Sequence, residues 1–239
     1  MSRQAQRQEP KPKFVAQREE SIKVDPIRPM NKKQRAYIEA ITNNNIVIAT
    51  GYAGTSKSYL AVSMAADALR LGRIDSIIFA RPAISNSKSL GYFAGTLEEK
   101  MAVWLEPVMN ILKQRLTTGG VEIYIKRGSI KFQPLETIKG LSVENAWLVC
   151  DEAEDITVDE AKKVVTRLGK NAKIVLAGDI SQSELKEKSG LRYLKDVAER
   201  HSLPVGIVDF NDPNDIVRSD DVKRWIIAFN REERSGGTR

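Results

Sequence analysis

Gly51-Tyr52-Ala53-Gly54-Thr55-Ser56-Lys57-Ser58 lies between the apolar run Ile46-Val47-Ile48-Ala49 and the helix-forming stretch Tyr59-Leu60-Ala61-Val62-Ser63-Met64-Ala65-Ala66. A short buried strand, a glycine-rich turn and a helix, in that order, read as a phosphate-binding loop. Unpaired N–H groups at the start of the helix, with the positive end of its dipole, face phosphate oxygens, and the glycines let the main chain curl around them. Lys57 is placed to reach the β- and γ-phosphates and Ser58 to hold Mg²⁺. The pattern G-x-x-x-x-G-K-[ST] is broken at one position, where Ser56 precedes Lys57 in place of glycine. A side chain there is expected to weaken nucleotide affinity without abolishing the site, because Gly51, Gly54, Lys57 and Ser58 keep their spacing.

The chain has 239 residues, 41% hydrophobic and 29% charged, which suits one globular domain with flexible ends. No apolar run approaches the roughly 20 residues of a membrane span, and the first residues lack the apolar centre of a signal peptide, so a cytoplasmic setting and no membrane partner are expected. Cys150 is the only cysteine and His201 the only histidine, which excludes an intramolecular disulfide and argues against a structural zinc site. Cys150 ends an apolar run and is expected in the core. Of the net charge of +7, residues 1–35 carry +6, with ten basic residues against Glu9, Glu19, Glu20 and Asp25. The remainder is close to neutral. A basic, Pro-containing arm adds phosphate attraction without sequence preference, or is simply a solvated leader.

Three segments are expected: a basic flexible arm over 1–30, a folded domain over 31–232 and a flexible end over 233–239. Asn31-Lys32-Lys33-Gln34 has the form of a capping box opening a helix to about 41. Strands are expected over 45–50, 76–80, 146–150, 173–177 and 205–209, and helices after the loop and over 157–168, 190–200 and 221–230. Thr96-Leu97-Glu98-Glu99 is a further capping box, before an apolar stripe Met101, Trp104, Leu105, Val108, Ile111 and Leu112 at helical spacing. Val121-Glu122-Ile123-Tyr124-Ile125 and Ile130-Lys131-Phe132 alternate around Arg127-Gly128 as a short ribbon or two strands would. The alternation of strands and helices predicts an α/β fold with a mainly parallel sheet covered on both faces.

In such a sheet ligands lie beyond the carboxyl ends of the strands, where reactive groups recur. Asp151-Glu152-Ala153-Glu154 follows the apolar run ending at Cys150, and Gly178-Asp179-Ile180-Ser181-Gln182 follows the run ending at Ala177. Beside the loop, Asp151 is suited to hold Mg²⁺ and Glu152 to orient and deprotonate the attacking water, while Gln182 is placed for the γ-phosphate or that water. The plainer alternative is a pair of strand-end carboxylates favoured by the dipole of the next helix, with Gln182 a turn residue. Tyr52 and Tyr92 are aromatics that stack a base or pack.

These motifs together resemble the PhoH-like proteins, RecA-type P-loop ATPases related to the motor core of superfamily 1 helicases. The resemblance rests on Gly51-x-Ala53-Gly54-Thr55-x-Lys57-Ser58, Arg81-Pro82-Ala83, Leu90-Gly91, Asp151-Glu152-Ala153, Thr166-Arg167-x-Gly169, Gly178-Asp179-x-x-Gln182 and Ser189-Gly190-Leu191, in order from about Asn31 onward. It implies a RecA-like fold, ATP and Mg²⁺ as cofactors, ATP hydrolysis, and RNA or single-stranded DNA as a partner. It also implies a homo-oligomeric ring, of which a hexamer is one form, and the small stand-alone chain suits a phage genome or its bacterial host. By resemblance Gln34 approaches adenine, although it equally closes the capping box. The loop 51–58 binds the nucleotide, Ser58 and Asp151 the metal, and Lys57, Asp151, Glu152 and Gln182 act in catalysis. Arg81, Arg167 and Arg192 are candidates to act across a subunit boundary. Ser56, Glu154 in place of the family's Gln and Leu141 in place of an Arg depart from the pattern. A nucleotide-gated nucleic-acid-binding module and a nucleotide-dependent scaffold are the alternatives to an ATPase.

Overall fold

The computed structural model describes residues 24–82, 97–138 and 142–234. In chain order the elements are α1 (Lys32–Asn43), β1 (Ile46–Gly51), α2 (Lys57–Arg70), β2 (Ser76–Arg81), α3 (Leu97–Leu116), α4 (Thr118–Lys126), β3 (Ile130–Pro134), β4 (Ala146–Cys150), α5 (Val158–Val165), β5 (Lys173–Gly178), α6 (Gly190–Arg200), β6 (Val205–Phe210) and α7 (Asp220–Arg234). The six strands form one sheet in the order β3-β2-β4-β5-β1-β6, every pair parallel.

Burial follows position in the sheet. Central β5 is buried at all six residues, whereas edge strand β6 alternates between buried and half-buried, as expected for strands covered on two faces and on one edge. Alternate residues along each strand feed separate cores. Val47, Ala49, Val175, Ala177 and Phe210 pack with α1, α2, α3 and α4. Ile48, Leu148, Cys150, Ile174 and Leu176 pack with α5 and α6 on the other face. The fold is therefore the α/β, RecA-like P-loop arrangement with helices on both faces of a parallel sheet, and Cys150 is fully buried in the second core.

Sequence and structure part company at 121–125. The alternation of Val121, Ile123 and Ile125 suggested a strand, yet these residues lie in α4. The Thr117 hydroxyl accepts a hydrogen bond from the Gly120 amide at 3.2 Å and starts the helix. Val121 alone buries against the core, while Ile123 and Ile125 remain exposed. Helix packing against α3 overrides the β-branched pattern. Only the second half of the expected ribbon becomes a strand, β3, and it pairs parallel with β2. The Thr96 capping box, Leu90-Gly91, Tyr92 and Leu141 lie outside the described residues. In the stripe on α3, Val108 and Leu112 are buried as expected. Before α1, Ile27 packs against the first core, and the Arg115 guanidinium, paired with Asp67, also donates to the Asp25 carbonyl at 2.7 Å. No helix among the described residues is long and apolar enough to cross a membrane.

Candidate functional site

Strands β4, β5 and β1 are consecutive in the sheet, so their carboxyl ends put three sequence-distant turns side by side. They open on a cavity of about 520 Å³ lined by residues 53–59 of the loop, Asp151, Glu152, Glu154, Gly178, Asp179, Gln182 and, from the C-terminal segment, Val217 and Arg218.

The loop is built by close backbone approach. At Gly51 (φ +110°) an added Cβ would strike the Phe210 carbonyl, to which the Tyr52 amide donates at 2.9 Å. Tyr52 is buried. At 7% exposure, and outside the cavity lining, its ring offers little surface for a base, contrary to one expectation. The Thr55 hydroxyl donates to the Tyr52 carbonyl at 2.9 Å and fixes the curl. Ser56 has φ 68° and ψ 26°, left-handed backbone. The position that departs from the loop pattern is thus one whose conformation favours glycine. Ala53 is exposed and Gly54 half-buried, and the Gly54 carbonyl accepts from the Val217 amide at 3.0 Å.

Lys57 opens α2 and is buried. Its Nζ donates to the Gly51 carbonyl at 2.7 Å and the Tyr52 carbonyl at 2.8 Å, 5.9 Å from the centre of the Phe210 ring. Burial pushes its pKa down, and the carboxylates of Asp179, Glu154 and Asp151 oppose that shift. Next to it, Ser58 Oγ donates to Asp151 Oδ1 at 2.5 Å. Burial pushes the Asp151 carboxyl up, with the Ser58 hydrogen bond, Arg81 and Lys57 pulling it back.

Glu152 carries left-handed backbone (φ 53°) and forms an ion pair with Arg81 from the end of β2. Gln182 is exposed at the cavity mouth and its Nε2 donates to Asp179 Oδ2 at 3.2 Å. Gln34 sits behind the loop, 1% exposed. Its Oε1 accepts from the Met30 amide at 2.8 Å and its Nε2 donates to the Thr55 carbonyl at 3.2 Å. The reciprocal half of the expected capping box thus lands one residue early. Arg167 and Arg192 do not line the cavity.

Two acids of the strand-end motifs to which sequence reasoning gave no role also line the site. Glu154 is buried, and burial pushes its carboxyl up to about 7. Its Oε2 accepts from the Asp179 amide at 3.1 Å, and a Cβ at Gly178 would strike it. Asp179 Oδ1 accepts from the Ser181 amide at 3.1 Å and hydroxyl at 2.6 Å. Position after an apolar strand was the signal for both. Val217 and Arg218 had none, since they follow β6 in an irregular stretch.

A family model described as PhoH-like protein matches residues 26–230. The chain is 35% identical over 208 residues to a PhoH-like protein of Bacillus subtilis, covering 86% of this chain and 65% of the relative. It is 34% identical over 211 residues to a PhoH-like protein of Synechocystis, covering 87% and 63%, and 33% identical over 214 residues to Protein PhoH of Escherichia coli K12, covering 88% and 60%. The chain therefore spans less than two thirds of the length of these relatives.

Proposed function

Because this chain belongs to the PhoH-like protein family, we propose that it is a cytoplasmic ATPase that binds ATP with Mg²⁺ between the 51–58 loop and the ends of β4 and β5. The observation that carries this reading is the Ser58–Asp151 hydrogen bond, which joins the loop to the first acid after β4 in the same cavity as Lys57, Glu152 and Gln182.

The residues present fit the group. A hydroxyl beside a carboxylate is the donor set of a hard cation that keeps several of its waters, and loop residues 53–58, which lead into the first turn of α2, line the same cavity. Ser58 and Asp151 would hold Mg²⁺, which supplies charge neutralisation on the phosphates. Lys57 exchanges its contacts with the Gly51 and Tyr52 carbonyls for phosphate oxygens. Glu152 is the group that accepts a proton from the attacking water, oriented by Arg81. Gln182, held by Asp179, reaches the terminal phosphate or that water. Catalysis of this kind is positioning and electrostatics. Gln34 sets the loop through the Thr55 carbonyl and reads adenine at most with its remaining hydrogen-bonding capacity.

RNA or single-stranded DNA is the proposed partner, with the basic residues of 1–35 as phosphate contacts, and a homo-oligomeric ring is the proposed assembly. A nucleotide-gated nucleic-acid-binding module with slow turnover is the second reading. The left-handed Ser56 and the Arg81–Glu152 pair favour it.

The test is phosphate release from ATP and Mg²⁺ by wild type, Lys57→Ala and Glu152→Gln, with and without single-stranded RNA or DNA. An ATPase is expected to lose nucleotide binding in the first variant and turnover alone in the second, with one strand type stimulating the wild type. Nucleotide binding without turnover would favour the gated module, and turnover retained by both variants would sink the ATPase assignment.

A further inference from the structure

The segment between β6 and α7 is fastened at both ends. Its turn at Pro213–Asp215 is closed by a capping box, with the Asn214 amide donating to Asp212 Oδ1 at 2.8 Å and the Asp212 amide to Asp215 Oδ2 at 3.4 Å. The Asn31 side chain ties it to the start of α1 through the Asp215 carbonyl at 3.2 Å, and the Val217 amide ties it to the Gly54 carbonyl. Arg218 is therefore delivered to the cavity by a fixed backbone. Its Cγ and Nε lie 2.9 Å and 3.5 Å from the position a Cβ would take on Gly54, and Ile226 of α7 comes within 3.4 Å of the same point.

Charge around the cavity is unevenly shared. Asp151, Glu154 and Asp179 all act on Lys57, and Arg81 is paired with Glu152. A nucleoside triphosphate adds several negative charges to this set. Arg218 lines the cavity, and no ion pair or hydrogen bond to another described residue engages its guanidinium. A guanidinium presents a planar fork of donors suited to two phosphate oxygens.

We propose that Arg218 is a phosphate-contact residue supplied in cis, which grips the polyphosphate of the bound nucleotide and ties occupancy of the loop to the segment that starts α7. The inference rests on the nucleotide reading above and adds a residue to it. Its origin in the same chain distinguishes it from an arginine contributed across a subunit boundary.

The experiment is calorimetric titration of the full chain with Mg²⁺-ATP and, separately, with inorganic tripolyphosphate, for wild type, Arg218→Ala and Arg218→Lys, with nucleotide-free melting temperatures alongside. Loss of a charge-assisted contact at an exposed site is expected to weaken both ligands by about tenfold in Arg218→Ala. Arg218→Lys should recover part of the affinity, with melting temperatures unchanged. Wild-type affinity in Arg218→Ala would overturn the proposal. So would an affinity loss matched by a fall in nucleotide-free melting temperature, which would make Arg218 a structural anchor only. Wild type binding tripolyphosphate but not ATP would overturn the nucleotide reading while the tripolyphosphate series still decides Arg218. Binding of neither ligand overturns both.

Discussion

Ser58 Oγ donates to Asp151 Oδ1 at 2.5 Å across 93 positions of sequence, so the first turn of α2 and the end of β4 share one hydrogen bond at the wall of the cavity. The pair places a hydroxyl and a buried carboxylate where a divalent cation is expected, and Asp151 bears a cost for it. Its pKa is raised chiefly by burial, so its ionised form weakens the nucleotide-free fold.

Asp151→Asn is accordingly expected to raise the nucleotide-free melting temperature while lowering Mg²⁺-dependent ATP affinity by more than about tenfold, a trade of function for stability. Thermal melts and titrations with and without Mg²⁺ check it. A variant that is both less stable and still Mg²⁺-dependent would contradict the metal role.

Ser56→Gly relieves left-handed backbone at the position before Lys57. Relief of that strain, less the added freedom of the unfolded chain, should stabilise the protein by about 0.5–1 kcal/mol. Nucleotide affinity should tighten, because the hydroxymethyl group leaves the main chain beside the phosphate. Urea midpoints at constant m-value measure the first effect, and a lower midpoint for the glycine variant would show that Ser56 is held by a contact worth more than the strain.

Glu154 sets a pH dependence. Its folded pKa, about 7, lies above its ordinary 4.5, so the folded state holds the proton more tightly. The stability contributed is fully present below about pH 4.5 and is lost as pH rises through 7, by on the order of 3 kcal/mol for a shift of this size. Glu154→Gln removes the titration. Its stability relative to wild type should climb between pH 5 and 8, as read from melting temperatures across that range, and a flat difference would mean that Glu154 ionises normally.

Gln34→Ala leaves the Met30 amide and the Thr55 carbonyl without their side-chain partner. With Gln34 buried, a loss of about 1–3 kcal/mol is expected, together with faster hydrogen exchange at the amides of 51–56. Stability loss without faster loop exchange would confine Gln34 to capping α1.

The apolar runs at Ile46, Ser76, Ala146, Lys173 and Val205 announced their strands because each is buried on one or both faces and bounded by turn residues. The helix at Val121 did not announce itself. Its β-branched alternation belongs equally to a half-exposed strand, and only contact with α3 and the Thr117 cap selects the helix. Loop, acids and Gln182 were legible as motifs at strand ends. Glu154 and Asp179 stood within those motifs without a stated role, since burial, which raises the Glu154 pKa, is not written in adjacent residues.

The sequence by itself determined the parallel α/β class, the loop with its odd serine and the carboxylates that follow the apolar strands, because these depend on local periodicity and spacing. The tertiary structure alone decided that β4, β5 and β1 are neighbours, that Arg81 meets Glu152, that Gln34 holds the loop from behind and that Arg218 stands over Gly54. Those relations join residues from 21 to 164 positions apart, and strand order and packing against the sheet, not any local pattern, bring such residues within reach of one another.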